Sequence, residues 1–178
     1  GAYLGEDALT KGVRMKISSW TRLDHNTMPP AAKTVGNYVN SSLAKVEALK
    51  AGYDEAIMLN PQGFVSECTG ENIFVVRNGV ILTPPLSAGA LEGITQNCVA
   101  QIAAELGYEM RVENIVRSDL YIAEEIFCCG TAAEVSAINS VDDREVPCPG
   151  PITTAIAGLY AKAVRGQVPH YKKWCELA

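Results

Sequence analysis

A chain of 178 residues, 48% hydrophobic and 20% charged, is long enough for one domain with a substantial core and short for two. Its 15 Lys+Arg against 20 Asp+Glu leave a net charge of −5, and no basic run offers a surface that tracks phosphates, so nucleic acid is not an expected partner. No apolar stretch approaches the roughly 18–20 residues of a membrane span, because AIMLN and NIFVV are cut short by polar residues.

The opening GAYLGEDALTKG has no initiator Met, and it shows neither the basic segment, the apolar run nor the cleavage site of a secretory signal. After this turn-rich start, VRMKISSW alternates like a strand, and LDHNTMPP (residues 23–30) reads as loop because the Pro pair stops any helix. Past Lys33, Gly36-Asn37 opens a helix on which Val39, Leu43, Val46 and Leu49 recur at spacings of four, three and three; these are expected to form its buried face, with Gly52 as the stop. The period then shortens. EAIMLN, GFVSEC, NIFVVR and VILT predict a sheet of four strands, and Asn78-Gly79 marks a hairpin between the last two.

A second helix is expected from Gly93 or Thr95 to Gly107, with Ile94, Cys98, Ile102 and Leu106 on one face. Strand-like YEMRVENIV follows, then a short helix from Ser118-Asp119 through Glu124, the strand EIFCC, and GTAAEVSAINSV as a loop running into another strand. The last helix covers Ile152 to Arg165, facing the core with Ile152, Ile156, Leu159 and Ala163, and Pro151 suits its first turn. Strands and helices intermix throughout, which is an α/β or α+β class.

The cysteines Cys68, Cys98, Cys128, Cys129, Cys148 and Cys175 form no C-x-x-C, and strand neighbours such as Cys128 and Cys129 face opposite ways. They read as free thiols of a reducing cytoplasm, several serving as small core residues. His25 and His170 stand alone in polar segments, so no metal site is expected.

Common nucleotide, phosphate-loop, hydrolase and zinc motifs are absent. The chemistry then rests on polar residues in apolar or Gly-rich settings. Lys33, in PPAAKTVGNY, sits between small residues before a helix; if desolvated it would be a usable amine, and otherwise it is a surface lysine with a snorkelling stem. Glu67 in GFVSECTGEN marks a strand end before a Gly loop. Leu91-Glu92-Gly93-Ile94-Thr95 opens a helix whose free N–H groups can hold an anion such as phosphate, as can any helix N-terminus. Gly130-Thr131-Ala132-Ala133 after a strand lets backbone N–H groups approach a ligand, or simply makes a tight turn. A lysine, a carboxylate and two small-residue anion loops fit a phosphorylated carbonyl cofactor such as pyridoxal phosphate, one hypothesis among several.

Read together, KISSWTR, NTMPPAAKTVGNY, LAKVEALKAGYDEAIMLN, GFVSECTGENIFVVRNGV, TPPLSAGALEGIT and EEIFCCGTAAEV resemble the branched-chain amino acid aminotransferases, fold-type IV pyridoxal phosphate enzymes, in order and spacing from Gly1 to about Val146. The resemblance implies a mixed-sheet pseudo-barrel flanked by helices, like the larger domain of D-amino acid aminotransferase-like enzymes. It makes residues 1–178 a single cofactor-binding domain, with 1–22 including the interdomain connection. It implies Lys33 as the Schiff-base lysine and proton shuttle, Tyr38 on the cofactor's phenolic oxygen, and Glu67 against the pyridine nitrogen. Leu91 matches the residue on the ring face; Gly93, Ile94, Thr95 and Thr131 fall in the phosphate-binding segments. The Thr131-Ala132-Ala133 backbone resembles the receiver of the substrate α-carboxylate, and Tyr3 a tyrosine near the substrate side chain.

The implied reaction is ping-pong transamination of leucine, isoleucine and valine with 2-oxoglutarate in a cytoplasmic homo-oligomer, a dimer or a hexamer of dimers. D-amino acid aminotransferases and aminodeoxychorismate lyases share the lysine, the glutamate and the GIT loop, while GNY and SSW favour the branched-chain group. Two positions depart from the pattern: Cys68 stands where a Gly is usual, and is expected to disturb the loop beside Glu67 if that backbone needs positive φ, and Gln96 stands where an Arg is usual. The family's smaller N-terminal domain, with its phosphate-clamping arginine, has no counterpart in these residues. The chain is therefore expected to be a fragment that is inactive or weakly active alone, and a non-catalytic folded module is the alternative.

Overall fold

Residue alternation defines the first strand of this computed structural model, which describes residues 3–5 and 7–175; residues 1, 2, 6 and 176–178, part of the predicted connection among them, lie outside the described residues. In β1 (Val13–Ile17), Val13, Met15 and Ile17 are buried while Arg14 between them is exposed. The later strands are β2 (Glu55–Leu59), β3 (Val65–Cys68), β4 (Asn72–Arg77), β5 (Val80–Thr83), β6 (Met110–Val112), β7 (Glu125–Gly130), β8 (Glu134–Val141) and β9 (Arg144–Glu145). The helices are α1 (Tyr38–Lys50), α2 (Ile94–Glu105), α3 (Arg117–Tyr121) and α4 (Pro151–Ala163). Thus β6 is only a fragment of the long strand expected there, and α3 ends before Glu124.

The described strands form one mixed sheet in the order β3-β2-β1-β8-β7-β4-β5-β6, with β9 against β8. Parallel pairs are β1–β2, β1–β8 and β5–β6. The expected four-strand sheet from 55 to 83 is thus divided: β2–β3 and β4–β5 are antiparallel pairs, but β4 lies against β7 and not against β3. The reason is burial. All of β3 and all of β4 but Arg77 are buried, which a one-sided meander could not provide. A tight turn, with Cys68 N–H donating to Glu71 O at 2.8 Å, carries the chain between the two walls. At the far ends, Phe64 bridges Val116 and Val65 N–H donates to Ile115 O at 2.8 Å, so edge strand β3 reaches the segment after β6. The sheet curls into a half-barrel, as the resemblance implied.

Two cores follow from the curl. Met15, Ile57, Ile73, Val75, Ile126, Cys128 and Ile138 fill the inside. Phe74, Val76, Phe127 and Cys129 face outward against Val99 and Ile102 of α2 and Ile156 and Tyr160 of α4, with Phe74 and Phe127 stacked at 4.7 Å. Cys128 and Cys129 therefore do face opposite ways. The Asn78-Gly79 turn has positive φ at both residues (52° and 73°), the hairpin geometry their identity predicted. Glu125, buried in β7, holds the first turn of α4 by accepting from Ile152 N–H (3.0 Å), Thr153 N–H (2.8 Å) and Thr153 Oγ1 (2.7 Å).

The expected helix faces need correction. On α1 the buried residues are Ser41, Ala44 and Ala48, whereas Val39, Leu43, Val46 and Leu49 are exposed. Small side chains let α1 settle closely on Ala56 and Met58 of β2, and the larger apolar stripe points away. On α2 the core side is Thr95, Val99, Ile102 and Ala103, and Ile94 is 82% exposed. Leu159 of α4 is only partly buried, and Tyr160 takes the deeper place.

Enlarging the small face of α1 should therefore harm the fold more than charging its large one. Ala44→Leu is expected to cost about 1–3 kcal/mol by overpacking, and Leu43→Lys less than about 0.5 kcal/mol, as read from urea unfolding of the chain.

Candidate active site

Four segments converge on a cleft of about 260 Å³: the loop before α1, the turn between β3 and β4, the N-terminus of α2 and the end of β7. Lys33, Tyr38, Glu67 and Leu91 line it, and so do Gly93, Ile94, Thr95 and Thr131. Residues 98 positions apart in sequence, from Lys33 to Thr131, are thus brought onto one cleft. Tyr3, Ala132 and Ala133 adjoin it: Tyr3 N–H donates to Ala132 O at 3.4 Å, directly after Thr131.

Lys33 is set by the turn that follows it. Asn37, buried at the start of α1, donates through Nδ2 to Pro29 O and Ala32 O, both at 2.9 Å, and so pins the loop on the N-terminal side of the lysine. Lys33 Nζ donates to Tyr38 Oη at 2.7 Å. The lysine is exposed, not desolvated, because this side of the cleft has no protein over it among the described residues.

Glu67 sits deepest. Its carboxylate accepts from Arg22 Nη2 at 2.5 Å, Leu91 N–H at 2.9 Å and Asn72 Nδ2 at 3.3 Å. Arg22 is itself buried and donates onward to Ser41 Oγ (3.0 Å) and Gly89 O (3.1 Å). Burial pushes the Glu67 carboxyl up from its ordinary value, while the Arg22 charge, the Leu91 N–H and Lys33 pull it back. Asn72 also donates to Leu91 O at 2.8 Å, which fixes Leu91 from both its amide and its carbonyl.

Gly93 leaves room for the Asn72 carboxamide, which a Cβ there would displace. It precedes α2 with no side-chain cap, so the first-turn amides of that helix open toward the cleft. Neither departure from the family pattern disturbs this arrangement. Cys68 is extended in β3, away from the positive-φ region, and its Sγ packs inside the barrel 3.8 Å from Met15 Sδ, so the expected disturbance of the loop does not occur. Gln96 turns its side chain to Thr83 Oγ1 at 3.2 Å.

Arg22, Asn37, Ser41, Glu71 and Asn72 also line the cleft and were not among the predicted site residues. Arg22 falls in the irregular stretch after β1, where no periodicity marks an inward residue. Asn72 was hidden in the apolar strand NIFVVR as its polar first residue.

The family model of amino-transferase class IV matches residues 2–141. The branched-chain-amino-acid aminotransferase of Pseudomonas aeruginosa is 44% identical over 176 residues, 98% of this chain and 57% of its own length. That of Escherichia coli is 42% identical over 179 residues, 99% of this chain and 58% of its own. Among solved structures, the branched-chain aminotransferase of Thermoproteus uzoniensis with norvaline superposes with a TM-score of 0.93 at 47% identity, covering 98% of this chain and 57% of that one. The branched-chain amino acid aminotransferase of Thermobaculum terrenum in its PLP-form gives 0.89 at 42%, with coverages of 91% and 54%. The chain spans a little over half the length of the relatives it matches.

Gly93→Ala would push Asn72 off both Glu67 and Leu91. Its expected effect is a loss of about 1–3 kcal/mol of stability, measured by urea unfolding and compared with Gly158→Ala, where the added Cβ meets nothing within 4 Å.

Proposed function

Because the chain belongs to the amino-transferase class IV family, we propose that it is the cofactor-binding part of a pyridoxal phosphate-dependent branched-chain aminotransferase. The observation that carries this reading is the joint presence on one cleft of Lys33 with Tyr38, the held carboxylate of Glu67, and the uncapped start of α2. These donors suit the group. An amine can take its aldehyde, a carboxylate its ring nitrogen, and a helix N-terminus with a glycine cradle its phosphate. Pyridoxal phosphate, when bound, supplies an aldehyde for the amino group and a ring that accepts the electron pair released at the substrate Cα.

The residues of the chain divide the remaining work. Lys33 Nζ holds the cofactor and then moves the proton at the substrate Cα. Tyr38 Oη, already 2.7 Å from Lys33 Nζ, orients that amine and the phenolic oxygen of the ring. Glu67, its charge supported by Arg22, keeps the ring nitrogen protonated. Leu91 packs on the ring face, and Gly93, Ile94, Thr95 and Thr131 bind the phosphate. The backbone of Thr131, Ala132 and Ala133 takes the substrate α-carboxylate, with Tyr3 beside the substrate side chain.

The parent is read as a cytoplasmic homo-oligomer acting on leucine, isoleucine, valine and 2-oxo acids. The six free cysteines and the exposed apolar stripe of α1 support its location and its assembly. No helix among the described residues is long and apolar enough to cross a membrane. The exposure of Lys33 favours one further point: this chain alone is weakly active or inactive, and leucine-dependent glutamate formation at the rate of the parent enzyme would contradict it.

The cofactor assignment is tested by visible absorbance. The parent protein with added pyridoxal phosphate should show the long-wavelength band of a lysine-bound cofactor, and Lys33→Ala should abolish it; a band retained by Lys33→Ala overturns the assignment.

A further inference from the structure

Beside the Arg22–Glu67 pair lies a second buried polar cluster. Glu55 of β2, fully buried, accepts from Lys45 Nζ (2.6 Å), Thr69 Oγ1 (2.6 Å) and Ala56 N–H (2.7 Å). Lys45, on α1, has its remaining contacts with Asp54 O at 2.8 Å and the Tyr3 ring at 5.0 Å. Glu71 lies next to this group, at the turn into β4, and is 3% exposed yet lines the cleft. Among the described residues, the one hydrogen bond to its carboxylate is a long one, from Gly70 N–H at 3.3 Å.

The charges do not balance for Glu71. Lys45 is committed to Glu55, and Arg22 to Glu67. The other titratable groups around it offer no cation: the thiols of Cys68 on β3 and Cys128 and Cys129 on β7 are all held above their ordinary range, and so is the Tyr3 phenol. For Cys68 the cause is the hydrogen bond with Cys128, then burial; for Cys129 and Tyr3 it is burial. In Cys128 the bond with Cys68 pulls down most strongly, and burial together with the Glu71 and Glu55 charges outweighs it. An ionised Glu71 would be a third carboxylate beside Glu55 and Glu67, and among the described residues no cation forms an ion pair with it. Burial first, and the Glu55 charge second, push its carboxyl up to about 8, against the weaker pull of the Gly70 N–H and the Lys45 charge.

Its position gives this proton a use. A Cβ built on Gly130 would lie 3.7 Å from Glu71 Cγ, and Gly130 leads directly into Thr131, Ala132 and Ala133. We propose that Glu71 is a neutral acid on the cleft wall at physiological pH, and that its proton is what allows a substrate carboxylate to settle beside Gly130. This rests on the aminotransferase reading for the identity of the ligand, but not for the proton itself. Once ionised, Glu71 sets like charge against the carboxylate in a buried, weakly screened place.

The proton is read on the full chain by infrared titration, without cofactor or turnover. The carbonyl stretch of a protonated carboxylic acid should persist in neutral solution and disappear as pH rises through about 8. It should be missing in Glu71→Gln. In Glu55→Gln, which releases Lys45 to Glu71, it should disappear at lower pH. Absence of the band in the wild type, or its survival in Glu71→Gln, overturns the proposal.

The ligand is read by calorimetry with 4-methylvalerate on the chain loaded with pyridoxal phosphate; its acid is complexed with a solved branched-chain amino acid aminotransferase 46% identical to this chain. Its Kd should rise about tenfold per pH unit above the Glu71 transition and stay flat in Glu71→Gln. A wild-type Kd that is flat through the transition overturns the carboxylate role. Loss of the Lys33-dependent absorbance band would instead contradict the cofactor reading and leave the infrared result standing.

Discussion

The ion pair between Arg22 and Glu67 is the joint on which the cleft depends. Both side chains are almost wholly out of water, at 5% and 7% exposure, so each charge is tolerable only while the other is in place. Their bonds reach five parts of the chain: the segment after β1 through Arg22, α1 through Ser41, β3 through Glu67, β4 through Asn72, and the loop before α2 through Gly89 and Leu91. Gly89 allows this only because it has no side chain. With φ at 97°, it brings its carbonyl to the guanidinium where a Cβ would press on Arg22 Cγ and Ser66 Oγ. The half-barrel brings the segments near one another, and the pair sets their register.

Around this joint the cleft separates its tasks by environment. Lys33 and Thr131 are at the open side, where a ligand enters, while Glu67 and Glu71 are in the wall. Two buried carboxylates of the same strand–turn–strand unit thereby have opposite neighbours, a guanidinium for Glu67 and another carboxylate for Glu71. Four residues of separation are enough for this because the turn at Thr69-Gly70 moves the chain from one wall of the curled sheet to the other.

Much of this is legible in the residues themselves. The hairpin at Asn78-Gly79 could be read because its turn geometry demands those residues, and the placement of Cys128 and Cys129 on opposite faces follows from strand geometry alone. The eight proposed cofactor residues were named from motif resemblance and all reached the cleft. What failed was local inference about burial. The α1 stripe looked like a core face because it is apolar at helical spacing, yet a close approach to β2 needs Ser41, Ala44 and Ala48, whose small size leaves little trace in hydropathy. Arg22 and Asn72 were missed for a related reason: a polar residue buried by distant partners carries no periodic signal, and both of these meet Glu67, 45 and 5 residues away on another element.

The most direct test of the joint is a double-mutant cycle on Arg22→Met and Glu67→Gln, measured by urea unfolding of the chain without ligand. Each single change strands a buried charge and should cost about 3–5 kcal/mol. The double variant strands neither, so a coupling of about 1–3 kcal/mol is expected. Additivity of the two changes within about 0.5 kcal/mol would show that the pair is not what holds the cleft together.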